Sequence, residues 1–279
     1  MDPQASPLRV FTPNPPLRLV ASAREIWTFR ELLWQLAIRE VRVRYKQTVL
    51  GVTWAILQPF SMMVVFTIFF GRLAQLPSDG VPYPLFYFSA LVPWSFFAGT
   101  LSAATNSLTN EASLLTKVAF PRGVVPLASL LGASLDFAIA MVILGGMLIF
   151  YGVAPNSAWI LLPFLLAVQV IFTLGAGFFL SALNVTYRDV RYAIPLLLQL
   201  WLYATPIVYP LSLVPPSLRF WYVLINPMAI LIDGYRAALL HGKRPDLALM
   251  TLAAIVAVTV CVGAYAYFRR AERKFADII

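Results

Sequence analysis

Long apolar runs alternate with short polar connections along most of the chain. A helix that crosses the hydrocarbon core of a bilayer needs about 20 predominantly apolar residues, and six segments meet this requirement. They lie at about residues 49–71, 84–108, 123–152, 158–183, 192–214 and 246–268. The pattern therefore predicts an all-α polytopic membrane protein, with six transmembrane helices in residues 47–279.

Ahead of the first run, residues 24–46 show the periodicity of an amphipathic helix. The apolar stripe, which only Glu40 interrupts, consists of Ile26, Phe29, Leu33, Leu36 and Val43. The opposite, polar stripe consists of Glu31, Gln35, Arg39, Arg42 and Lys46. A basic amphipathic helix at this place is expected to lie in the headgroup plane of the membrane, as an interfacial helix. A soluble helix packed on a partner protein is the alternative.

A further apolar stretch, residues 215–242, is interrupted by Asn226 and Pro227. Asn suits a helix N-cap and Pro suits the first helical position, so two short helices are expected. Because each is shorter than a span, we predict a re-entrant hairpin that gates the outer face; a passive plug is the alternative. The predicted gate residues are Arg219, Asn226, Pro227, Asp233 and Arg236. Asp233 and Arg236 are expected to form an exposed pair that is too weak for single substitutions to matter.

Composition supports the membrane class. The chain is 60% hydrophobic and 12% charged, whereas soluble domains are about a quarter charged. Its formal net charge of +9 is typical of a protein that binds nucleic acid, but the cations lie at the ends of apolar runs. Membrane topology and anionic lipids explain that placement better, so membrane lipids and no nucleic acid are the predicted partners.

The positions of the cations also predict the orientation. With six spans and both termini inside, sixteen of the 21 Lys and Arg residues face the cytoplasm and five face outward. The positive-inside rule therefore places both termini in the cytoplasm. Residues 1–23 are rich in proline and contain no signal-peptide core, so we expect a flexible cytoplasmic tail.

The chain lacks the residue sets that several chemistries require. His241 is the single histidine and Cys261 the single cysteine, and there is no phosphate-binding GxxxxGK[ST] motif. We therefore predict no metal, no catalytic residues and no bound cofactor in this chain. Asp136 is the one obvious ionisable group deep in a span, about 21 Å from a helix start near Arg122. A functional role and structural pairing with a hydroxyl or a helix end are both open for it.

Cations are concentrated just before the first span. Arg39, Arg42, Arg44 and Lys46 lie within eight residues and an apolar run follows. They either mark the cytoplasmic side or bind an anion. In a helix, Arg42 and Lys46 share a face while Arg44 points about 160° away. All three reach one ligand only if the helix ends near Tyr45, so Arg42 and Lys46 form the stronger pair.

Aromatic residues are abundant in the spans. Most are expected to form interfacial belts or to face lipid, but some could line a pore, because aromatic faces stack on sugar rings. The predicted pore-lining candidates are Trp54, Phe60, Trp201 and Tyr203.

Four segments, in order and with suitable spacing, carry a family resemblance. They are RVRYKQTVLGVTWAILQP, LTKVAFPR, NVTYRDVR and the hairpin around INPM. Together they resemble the permease subunit of ABC-2 type polysaccharide exporters, in the group that exports O-antigen, capsule or teichoic-acid chains. The resemblance covers about residues 24–279.

The resemblance implies a homodimeric channel in the bacterial inner membrane with two separate ATPase subunits, which bind ATP and Mg. Residues 109–121 correspond to a coupling helix, and residues 184–191 form a second cytoplasmic contact surface. The candidate contacts with the ATPase are Leu114, Leu115, Lys117, Arg188 and Asp189. The hairpin at 215–242 corresponds to the outer gate.

The resemblance also implies a substrate, namely a polysaccharide on a polyprenyl-pyrophosphate anchor. Pyrophosphate is an anion that Arg42, Lys46 and Arg44 could bind, since arginine binds phosphate through a bidentate fork and lysine as a point charge. Two other functions stay open. One is an ABC-2 exporter of a small lipid or drug, and the other is a membrane-embedded enzyme of lipid-linked sugar metabolism.

Overall fold

Helices account for all regular secondary structure in the part of the protein that its computed structural model describes, residues 19–46, 51 and 53–275. They are α1 (Leu19–Thr28), α2 (Arg30–Tyr45), α3 (Thr53–Phe66), α4 (Tyr83–Asn110), α5 (Ala112–Lys117), α6 (Val124–Phe150), α7 (Leu162–Thr186), α8 (Val190–Ala204), α9 (Pro216–Ile225), α10 (Pro227–Leu240) and α11 (Leu247–Ala271). A π-helical segment, Thr67–Leu73, extends α3, and short 3-10 helices cover Ser157–Leu161, Leu211–Leu213 and Glu272–Lys274. Most of the predicted N-terminal tail, residues 1–18, lies outside the described residues.

Five helical segments are long and apolar enough to cross a bilayer. They are Thr53–Leu73, Tyr83–Asn110, Val124–Phe150, Ser157–Thr186 and Leu247–Ala271. Each agrees with a predicted span to within a few residues, apart from the start of the first predicted span, residues 49–50, which is not described. The all-α polytopic class is therefore confirmed.

The fifth predicted span, residues 192–214, differs from the structure. Its helix, α8, has 15 residues and ends at Ala204, so it is about 22 Å long against a hydrocarbon core of about 30 Å. The residue before a proline is disfavoured in helical conformation. Thr205, which precedes Pro206, is extended with φ −104° and ψ 143°. This proline stops the helix inside the apolar run.

The interruption predicted at Asn226 is confirmed, because α9 and α10 meet there at 114°. Pro227 lies in the first turn of α10 as expected. The Asn226 side chain, however, does not cap α10. Its Nδ2 donates to Thr205 Oγ1 (2.9 Å) and to the Ala204 carbonyl (3.4 Å), and so ties the pair of helices to the end of α8. Re-entry from the outer face stays a prediction, since the bend fits a broken span as well.

The core is built around α4, which packs against α6, α7, α8 and α10. Four consecutive side chains near its start, Leu85, Phe86, Tyr87 and Phe88, are fully buried. By contrast, only Met63 is buried in α3. The first span therefore leaves most of its apolar surface open to lipid or to another protein chain.

The predicted amphipathic segment forms two helices, α1 and α2, that meet at Phe29. Leu36 and Ala37 are buried, and α2 packs along α6. The predicted apolar stripe does not extend to Val43, which is 70% exposed. Thus α2 rests on a transmembrane helix of its own chain, and its position in the headgroup plane of the membrane stays a prediction.

Candidate functional site

Ion pairs fasten α2 to the transmembrane helices. Arg39 forms a bidentate pair with Glu111, at the junction of α4 and α5, with N–O distances of 2.7 and 2.8 Å. Further along α2, Arg44 pairs with Asp136 in α6 and lies 3.7 Å from Glu40. The Tyr45 hydroxyl donates to the other oxygen of Asp136. The basic end of α2 is therefore held in one position against the third span.

These contacts define the role of Asp136. It lies twelve residues beyond Val124, about 18 Å along α6, and its partners are an arginine and a tyrosine hydroxyl from α2. The interpretation as structural pairing is therefore the one that the geometry favours. The sequence indicated a hydroxyl or a helix end as partner but gave no sign of Arg44, 92 residues away.

We expect a measurable coupling between Arg44 and Asp136. Asp136→Ala leaves Arg44 without its partner and should lower the free energy of unfolding by about 1 kcal/mol, because both side chains are one-third exposed and partly screened. Arg44→Ala together with Asp136→Ala should cost less than the sum of the two single changes. Thermal unfolding of the four purified proteins in detergent measures this, and strictly additive costs would contradict the pairing.

The three cations that are predicted to bind an anion, Arg42, Arg44 and Lys46, differ in their contacts. Helix α2 ends at Tyr45, and the Lys46 N–H donates to the Arg42 carbonyl at 2.7 Å. The helix therefore ends where it must if all three cations are to reach one ligand. Arg44 is taken up by Asp136, whereas Arg42 and Lys46 are exposed. Within the described residues neither of the two forms an ion pair, so they are the cations available to a ligand.

A groove of about 1100 Å³ lies between α2, α3, α4 and α6, and Leu202 of α8 also lines it. Its charged lining consists of Arg39, Glu40, Arg44, Glu111 and Asp136. Burial raises the pKa of the Glu40 carboxyl, and the neighbouring Arg44 guanidinium opposes that shift. Among the four predicted pore-lining aromatics, Trp54 lines this groove.

The other aromatic candidates lie elsewhere. Trp201 packs edge-on against Phe97 and Phe172, with ring centroids 5.2 and 6.4 Å apart, so it belongs to an aromatic cluster of the core. Phe60 and Tyr203 are each 48% exposed. They lie on α3 and α8, two helices that leave much of their apolar surface exposed.

Arg236, in the predicted gate, has a role that the sequence did not indicate. Arg236 is only 3% exposed, so the expected exposed pair with Asp233 is wrong. Its guanidinium donates to the carbonyls of Phe86, Pro206 and Ile207 at 3.2, 2.6 and 2.6 Å. Arg236 therefore fastens α10 to the start of α4 and to the irregular segment that follows α8.

The second arginine of the predicted gate, Arg219, is half-buried and donates from Nε to the Val214 carbonyl at 3.0 Å. This single bond closes the short connection between the 3-10 helix Leu211–Leu213 and α9. Arg219 is therefore a local contact, in contrast to Arg236.

The predicted ATPase contacts lie on two short connections. Within residues 109–121 the helix α5 covers Ala112–Lys117. Leu115 is buried among Leu36 and Val124, whereas Lys117 is exposed. Leu114 is half-buried, and Arg188 and Asp189 are exposed in the turn between α7 and α8.

Asn184 links these two connections and was missed by the sequence reasoning. It is 1% exposed, and its Nδ2 donates to the Thr105 carbonyl (3.0 Å) and to Thr109 Oγ1 (3.4 Å). Its Oδ1 accepts the backbone N–H of Arg191 at 3.1 Å. The sequence shows this amide in the last turn of an apolar span, at the start of NVTYRDVR, but gives no sign of its partners.

Comparison with known proteins gives consistent matches over most of the chain. The family described as ABC-2 type transporter matches residues 31–240. An O-antigen export system permease protein RfbA of Myxococcus xanthus is 31% identical over 263 residues, 94% of this chain and 100% of the relative. A protein of the same name from Klebsiella pneumoniae is 31% identical, covering 89% of this chain and 95% of the relative. A polysialic acid transport protein KpsM of Escherichia coli is 24% identical, covering 85% and 92%.

Proposed function

Because the chain belongs to the ABC-2 type transporter family, we propose that it is the channel-forming permease of an ATP-driven polysaccharide exporter. Its substrate is an O-antigen-like polysaccharide linked to polyprenyl pyrophosphate, which it moves across the bacterial inner membrane. The observation that carries this proposal is the similarity over the full length of an O-antigen export permease. The related polysialic acid transport protein supports a polysaccharide as substrate class.

ATP hydrolysis in this proposal takes place on a separate subunit. The sequence contains no GxxxxGK[ST] motif, so the energy source requires a partner that holds ATP and Mg. We place two such subunits on the cytoplasmic side of a homodimer of this chain. The open apolar surfaces of α3 and α8, which include Phe60 and Tyr203, support a second copy as neighbour.

The proposed orientation has both termini in the cytoplasm. The excess of cations on that side supports it. In this orientation α5 and the turn at Arg188 and Asp189 face the ATPase subunits, while α9 and α10 lie on the outer side as a gate. Arg42 and Lys46 then lie at the cytoplasmic leaflet, where the pyrophosphate of the anchor would meet them.

Co-purification tests whether ATP hydrolysis takes place on a separate subunit. The tagged chain, extracted together with the ATPase encoded beside it, should yield a complex of two permeases and two ATPases whose Mg-dependent ATP hydrolysis needs the ATPase subunit. The permease alone should not hydrolyse ATP. Turnover of ATP or of lipid-linked sugars by the isolated chain would instead support a membrane-embedded enzyme.

Cysteine crosslinking tests the contact with the ATPase. A cysteine at Thr116 or Lys117 should crosslink to the ATPase, because both side chains are exposed on α5, whereas one at Leu115 should react poorly because Leu115 is 7% exposed. Leu115→Pro should break α5 and uncouple ATP hydrolysis from export without preventing membrane insertion. Normal export by Leu115→Pro would remove α5 from the mechanism.

A further inference from the structure

A line of small and polar residues runs along the groove wall that α4 provides. The apolar part of α4 is 78% buried, yet Ser95, Gly99, Ser102, Asn106 and Asn110 all line the groove. Their spacings of three and four residues place them on one helical face over about 22 Å. Polar side chains at membrane depth face protein or water-filled space rather than lipid. This line therefore gives the groove a polar strip along α4, while most of the remaining lining is apolar.

The charges in the groove disfavour an anionic ligand. Its lining contains two cations, Arg39 and Arg44, and three carboxylates. Both cations are already paired, with Glu111 and Asp136 respectively. A phosphate group entering the groove would therefore meet a surplus of negative charge, whereas Arg42 and Lys46 outside it are available.

The uncharged lining combines polar and apolar side chains, which favours a ligand with both hydroxyl groups and apolar C–H faces. Asn110 on α4 and Gln58 on α3 each offer amide donors together with a carbonyl acceptor, which matches neighbouring sugar hydroxyls. Asn106 offers its carbonyl and one amide N–H, because its Nδ2 also donates to the Ser102 carbonyl at 3.0 Å. A hydrocarbon chain in the same place would desolvate these amides without giving them hydrogen bonds. Trp54, which also lines the groove and is 48% exposed, offers an apolar ring face for the C–H face of a sugar.

We propose that this groove is a glycan-binding site, which holds uncharged sugar units of the substrate while Arg42 and Lys46 hold the phosphate outside it. The proposal rests on the proposed export function and adds where the sugar is bound. The volume of about 1100 Å³ slightly exceeds the typical range for small-molecule sites, about 300–1,000 Å³. It is therefore large enough for more than one linked sugar unit.

Two glycine substitutions provide a matched test. A Cβ added at Gly99, in the groove, or at Gly146, exposed on α6, meets no heavy atom within 4 Å. Gly99→Phe fills the groove and should lower export of the cell's own polymer at least about tenfold. Gly146→Phe places the same side chain outside the groove and should leave export unchanged. Normal export by Gly99→Phe, or an equal loss in both variants at equal membrane levels, would overturn the proposal.

Photocrosslinking identifies the occupant directly. Benzoylphenylalanine at Ser102 should form an adduct with the polymer, detected by a lectin blot, while the same probe at Ile149, 82% exposed on α6, should not. A phospholipid adduct at Ser102 in cells that export normally would overturn the glycan site and leave the export function standing. Normal polymer export in cells that lack this chain would instead refute the export function itself.

Discussion

Arg236→Met should destabilise the protein by about 3–5 kcal/mol, the cost expected when one partner of a buried charged network is removed. Methionine keeps much of the side-chain volume but cannot donate to the three buried carbonyls of Phe86, Pro206 and Ile207. The guanidinium carbon also lies 3.5 Å from the centre of the Phe86 ring, so a cation–π contact is lost as well. Thermal unfolding in detergent and the yield of monodisperse protein measure the effect.

Arg219→Met is the matched control for this prediction. Arg219 is half-buried and makes one bond to a backbone carbonyl, so its loss should cost about 1 kcal/mol at most. If Arg236→Met and Arg219→Met unfold at the same temperature as the unmodified protein, the proposed fastening of α10 by Arg236 is wrong.

Arg42→Ala combined with Lys46→Ala should abolish export. Each charge-assisted contact with phosphate is worth about 1.5–3 kcal/mol, roughly ten- to hundredfold in affinity. The double variant should also lose the ATP turnover that substrate stimulates, while it keeps basal turnover by the ATPase subunits and inserts correctly.

Arg24→Ala combined with Arg30→Ala controls for membrane topology. These two arginines are also exposed and precede the first span, so the same number of cytoplasmic charges is removed. This control should export normally. If the Arg42 and Lys46 double variant inserts correctly and exports as well as the control does, these two cations only set the membrane topology and do not bind the phosphate.

Local features of the fold were predictable from the sequence because they depend on neighbouring residues. Apolar run length located α4, α6, α7 and α11, and the Asn226–Pro227 pair located the break between α9 and α10. The end of α2 at Tyr45 likewise met the condition that helix geometry set for the three cations. In contrast, the predicted span 192–214 continues past Thr205 although Pro206 signals a stop there, because the length of an apolar run takes no account of a proline inside it.

Long-range contacts could not be predicted in the same way. The positive-inside rule places Arg236 among the exposed charges of the outer face. In the structure its guanidinium donates to carbonyls of Phe86, 150 residues earlier, and of the segment around Pro206. The pairing of Asp136 with Arg44 and the role of Asn184 also depend on how helices pack. Periodicity shows which face of a helix is polar, but it does not show which helix that face meets.

The location of the polymer in cells that lack this chain tests the central claim most directly. Lipid-linked polymer of full length should accumulate at the cytoplasmic leaflet, where intact spheroplasts protect it from an added antibody or glycosidase. Restoring the chain should return the polymer to the cell surface, provided that the ATPase partner is active. Polymer that reaches the surface in normal amounts without this chain would contradict the proposed role as its exporter.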